Sequence, residues 1–116
     1  MAETFITLPL PYDIQTCSAR LQAIASQLNA QIKPINCDDD VPKEERFDIE
    51  VCLEGKASSG LFGGGKLWAV RTLASANGAG CTIVIDPFGD PSSRRGPYSF
   101  KHAMEKRDQI GEMLLP

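Results

Sequence analysis

Lys66-Leu67-Trp68-Ala69-Val70-Arg71-Thr72-Leu73-Ala74-Ser75-Ala76-Asn77-Gly78 is the stretch on whose reading the fold turns. Leu67, Val70, Leu73 and Ala74 recur three and four apart, the spacing of one face of a helix. Asn77-Gly78 would then supply a left-handed helix stop. This reading predicts a helix over residues 66–76, set between two strands.

The segments on either side are simpler. Phe47, Ile49, Val51 and Leu53 alternate with Asp48, Glu50 and Cys52, which predicts a strand with one wet face. Cys81 to Asp86 reads as a buried strand. Upstream, Thr4 to Leu10 forms a first strand, ended by Pro9 and Pro11. Asp13 is a good N-cap for a helix carrying Ile14, Cys17, Leu21, Ile24 and Leu28 and ending near Asn29. Gln31 to Ile35 reads as a short strand, and Pro34 assigns it to an edge. Ser99 caps a final helix running to about Leu114. The order β-α-β-β-α-β-α predicts an α+β fold: a ferredoxin-like βαββαβ layer with an added C-terminal helix.

At 116 residues one domain is expected, with ordinary globular composition and a net charge of −3. An acidic balance argues against general nucleic-acid binding. No run is long and apolar enough to cross a membrane, and the first residues do not form a secretory signal. A cytoplasmic location is therefore expected. Cys17, Cys37, Cys52 and Cys81 form no Cys-x-x-Cys pair, and the chain has a single histidine, His102. No metal or cofactor is expected. Cys81 or Cys37 could act as a nucleophile only with a depressed thiol pKa.

Charge is unevenly distributed. From Cys37 to Glu54, eight acids (Asp38, Asp39, Asp40, Glu44, Glu45, Asp48, Glu50, Glu54) face Lys43 and Arg46, a net −6. From Gly55 to Arg107, eight bases face three acids, a net +5. Such polarity steers association with oppositely charged partners. Asp38, Asp39, Asp40, Glu44 and Glu45 are the candidate contacts to a protein with a basic surface. Trp68, and with it Phe62 or Phe88, would be the apolar anchor. The final helix offers a route to a homodimer.

A second pattern points elsewhere. Gly60-Leu61-Phe62-Gly63-Gly64-Gly65-Lys66 has the spacing of a phosphate-cradling loop opening a helix. Leu67 stands where that motif needs a magnesium-binding hydroxyl. Anion binding without hydrolysis is the resulting alternative, a phosphorylated small ligand held by Gly63, Gly64, Gly65 and Lys66. Arg94 and Arg95 would assist through bidentate bonds.

Leu67-Trp68-Ala69 in a helix, a glycine turn, then Cys81-Thr82-Ile83-Val84-Ile85-Asp86-Pro87 resembles a pattern in small bacterial immunity-type proteins and domains of unknown function. The resemblance covers about a fifth of the chain and carries no catalytic residue. It implies a non-enzymatic inhibitor that binds another protein.

Overall fold

The computed structural model describes residues 4–35, 46–57, 66–89 and 97–116. Its elements are β1 (Ile6–Leu10), α1 (Ile14–Gln27), β2 (Gln31–Pro34), β3 (Ile49–Lys56), β4 (Leu67–Asn77), β5 (Gly80–Pro87) and α2 (Phe100–Leu114). They form an α+β fold with one antiparallel five-stranded sheet, ordered β1-β5-β4-β3-β2.

The helix expected over residues 66–76 is instead β4, the central strand. The same residues satisfy a period of two. Trp68, Val70, Thr72 and Ala74 are buried on one face, while Arg71 is exposed on the other. Strands β3 and β5 flank β4 on both sides, and this supplies ladder bonds that an isolated propensity does not count. Asn77-Gly78 is correspondingly a hairpin turn. Gly78 takes the positive φ (64°) that such turns need, and Asn77 pairs with Gly80 across it.

The ferredoxin-like arrangement falls with that helix. A split βαβ needs a helix between its third and fourth strands and places β1 inside the sheet. Here β2 to β5 form a continuous meander, and β1 sits at an edge beside β5.

Both helices pack on one face of the sheet. Cys17, Leu21, Ile24 and Ala25 of α1 and Ala103, Ile110 and Leu114 of α2 join one core with Leu53, Trp68, Val70, Ala74, Ile83 and Ile85. The caps are as expected: Asp13 Oδ1 accepts from Thr16 N at 2.8 Å, and Ser99 Oγ accepts from His102 N at 3.3 Å. Tyr12 Oη donates to the Leu114 carbonyl at 2.5 Å, which ties the start of α1 to the end of α2. Arg107, which breaks the apolar stripe of α2, reaches the Thr4 carbonyl at 2.5 Å and holds the chain leading into β1. The buried side of α2 is taken up by this core. Its outer side carries Lys101, Glu105, Asp108, Gln109 and Glu112, all exposed.

Gly55 and Gly80 mark two close approaches. A Cβ on Gly55 would lie 2.7–2.8 Å from the Trp68 indole, and one on Gly80 would lie 2.3 Å from the Leu10 carbonyl oxygen. Gly80→Ala is therefore expected to cost about 1–3 kcal/mol, because the obstacle is backbone and cannot rotate away. Chemical denaturation would measure it; a loss below the error of the midpoint would show that β1 shifts freely.

Candidate functional site

The strand directions place the borders of the charged segments at two ends of the sheet. Ile35 N donates to the Glu50 carbonyl at 3.2 Å, and Asp48 Oδ2 accepts from Ala76 N at 2.9 Å. These bonds hold both borders of residues 36–45 toward the Asn77–Gly80 end of the sheet. Ala57 N donates to the Lys66 carbonyl at 2.7 Å, and Leu67 N donates to the Pro97 carbonyl at 2.7 Å. The borders of residues 58–65 and 90–96 therefore meet at the opposite end, about 30 Å away along β4.

Asp38, Asp39, Asp40, Glu44, Glu45, Gly63, Gly64, Gly65, Arg94, Arg95, Phe62 and Cys37 lie outside the described residues. The three other acids of the acidic stretch are engaged within the fold. Asp48 accepts from Ala76 N, Glu50 Oε1 accepts from Phe47 N at 2.9 Å, and Glu54 accepts from Lys33 Nζ at 3.0 Å and from Tyr98 Oη at 3.0 Å. The bond to Glu54 raises the pKa of Lys33, and it is the main reason that Tyr98 is raised as well.

Three expectations are corrected. Trp68 is 1% exposed and lies in the core, with Lys106 Nζ 5.5 Å from its ring centroid. It cannot serve as a surface anchor. Lys66 is followed by a strand and not by the expected helix, so no helix dipole stands behind it to favour an anion. Cys81 is 2% exposed and buried against α1 and β1, which removes it as a nucleophile open to substrate. Phe88 does remain exposed, edge-on to Tyr98 with ring centroids 5.1 Å apart.

Sequence reading missed three groupings. Lys33, Cys52, Arg71 and Asp86 stand in direct register across four strands on the face opposite the helices. Arg71 pairs with Asp86 there. Burial, with Glu54 nearby, pushes the Cys52 thiol up, so this ladder does not activate it. The alternation of β3 was the available signal. The second grouping is a cleft of ≈560 Å³ beyond the start of β2, lined by Leu28, Asn29, Gln31, Glu54, Gly55, Lys56 and Leu67. It lies at the end of the sheet where β3 finishes and β4 begins. The third is a groove of ≈390 Å³ between α2 and β1, lined by Ile6, Leu8, Asp108, Gly111, Glu112 and Leu115.

Ser99 Oγ lies 2.6 Å from His102 Nδ1. This pair caps α2, and no carboxylate is bonded to the ring among the described residues. No helix among them is long and apolar enough to cross a membrane.

No family model, no curated protein and no solved structure matches this chain.

Proposed function

We propose that this chain is a non-enzymatic protein-binding module of inhibitor or immunity type, which meets a partner's basic surface through acidic groups. The observation that supports this reading is the bonding of the two flanks of the acidic segment, at Ile35 and at Phe47–Asp48, to the sheet. Asp48 and Glu50 are consumed in that bonding. Between those borders the sequence carries five acids against Lys43, a net −4 over ten residues. A concentration of charge of one sign accelerates docking more than it deepens the final complex.

The test needs the natural partner, captured from the source cell and identified by mass spectrometry. Replacing Asp38, Asp39 and Asp40 with lysine is expected to slow association by roughly tenfold or more at low salt and to flatten its salt dependence. Unchanged association kinetics would end this reading.

One observation favours a second reading, binding of a phosphorylated small ligand. The helix behind the glycine loop is gone, but the ≈560 Å³ cleft has the volume of a small-ligand site. It is lined by Lys56 and lies at the end where Lys66 and the border of the Arg94-Arg95 segment come together. Thermal stabilisation by a phosphate ester, lost in Lys56→Ala, would support it. No shift across a panel of phosphate esters would dispose of it.

A further inference from the structure

Helix α2 ends against the rules that stabilise helices. Its last turn contains Glu112 and no basic residue. A carboxylate there faces the negative end of the helix dipole. Asp108 lies four residues earlier on the same side, a like-charge pair that weakens a helix further. Arg107 relieves this only in part. Its Nε and Nη2 both bond Asp108 Oδ1, at 2.9 and 2.8 Å. Among the described residues, Asp108 Oδ2 and the whole Glu112 carboxylate have no hydrogen-bond or ion-pair partner.

These two acids form the rim of the ≈390 Å³ groove, whose floor is apolar. Ile6 and Leu8 of β1 are half-buried there. Leu115 is 50% exposed, which is high for a leucine. Gly111 lets α2 approach closely: a Cβ on it would stand 3.1 Å from Ile6 Cδ1 and 3.5 Å from Leu8 Cδ1. An apolar floor beneath a rim that keeps Glu112 and one oxygen of Asp108 available fits a segment that presents lysine or arginine beside aliphatic side chains. Pairing with the backbone of β1 is a weaker option, because Pro9 in that edge strand lacks an N–H donor.

The geometry points to the α2–β1 groove as a docking cleft for a cationic amphipathic segment of a protein partner. The inference rests on the protein-binding reading and gives it a second acidic contact, on the sheet edge opposite β2. An acid without a partner among the described residues in the last turn of a helix, Glu112, is a local conflict of the kind that function retains.

The experiment titrates the full chain, isotope-labelled, with synthetic peptides observed by NMR. The first peptide is an amphipathic helix of leucine and lysine. The second has serine in place of leucine, and the third has glutamate in place of lysine. The leucine–lysine peptide is expected to shift the amides of Ile6, Leu8, Gly111 and Leu115, and the other two to leave them unmoved. Replacing both Asp108 and Glu112 with lysine is expected to weaken binding about tenfold or more. The same change should leave Tm within about 3 °C of the natural protein's, since the gain at the helix dipole is offset by the lost Arg107–Asp108 pair and a new lysine–lysine pair. Weaker binding in a protein of unchanged Tm cannot come from unfolding.

Three results would overturn the proposal: shifts confined to residues outside the groove, equal binding of the lysine–serine peptide, or full affinity in the charge-reversed chain. The two acidic sites can fail separately. If lysine at Asp38, Asp39 and Asp40 slows the natural partner while lysine at Asp108 and Glu112 does not, the groove is wrong and the protein-binding reading stands. If neither change slows it, both are wrong.

Discussion

Trp68→Ala is expected to destabilise the protein by about 3–5 kcal/mol, the range for deleting a large aromatic side chain from a core. Tm should fall on the order of 10–20 °C. Trp68 sits on the central strand, 1% exposed, among the largest fully buried side chains of the fold. Its ring lies beneath Gly55, its register partner on β3, and Lys106 of α2 passes over it. The fit between Trp68 and Gly55 can be tested on its own. Gly55→Ala in the natural protein places a methyl group 2.7–2.8 Å from the indole and is expected to cost about 1–3 kcal/mol. In the Trp68→Ala background the obstacle is gone, and the cost should fall toward zero. Denaturant unfolding of the two single variants and the double variant closes the cycle. Additivity within about 0.5 kcal/mol would mean that the two residues do not meet. If Trp68→Ala kept its stability and lost only partner binding, the residue would be a surface anchor after all.

The same residue shows how far the sequence alone reaches. Six of the seven elements are visible in it, because each carries a local signal: alternation in β3, a capping aspartate before α1, a capping serine before α2, Pro34 marking an edge. Residues 66–76 fit two periods at once. Leu67, Val70, Leu73 and Ala74 draw a helix, while Trp68, Val70, Thr72 and Ala74 draw a strand. The alanines at 69, 74 and 76 tilt an isolated peptide toward the helix. The fold resolves the tie by burying β4 between two neighbours, and Asn77-Gly78 then reads as a hairpin turn. That dipeptide between two alternating runs was the overlooked signal. One misread element is enough to change the topology, because a helix there would move β1 from the edge to the interior.

Site residues were less visible, for a related reason. Asp38 to Asp40 stand out because they are consecutive, whereas Asp108 and Glu112 look like an ordinary solvated helix face. What sets the latter apart is that Glu112 falls in the last turn of a helix with no base there, which requires the helix boundary to be known. Lys33, Cys52, Arg71 and Asp86 come from four strands, and only their register brings them into one row.

The second large effect is expected in alkaline solution. The Cys17 thiol is pushed up from 9.0 to about 12, first by burial and then by the neighbouring Cys81 thiol. Below pH 9 the thiol is neutral in both the folded and the unfolded chain, and its contribution to stability is fully present. Between pH 9 and 12 the unfolded chain loses this proton and the folded chain keeps it. Stability therefore falls across that window, by up to about 4 kcal/mol for a displacement of this size. Tyr12, whose pKa is raised mainly by burial, acts in the same direction above pH 10. Cys17→Ala removes the first contribution. Its absolute stability will be lower because a buried side chain is shortened, so the informative quantity is the slope. Urea unfolding between pH 8 and 11 should show a clearly flatter alkaline decline in the variant than in the natural protein. Parallel slopes would mean that water reaches the thiol in the folded state, and the contact that joins α1 to β5 would be looser than the fully buried Cys17 implies.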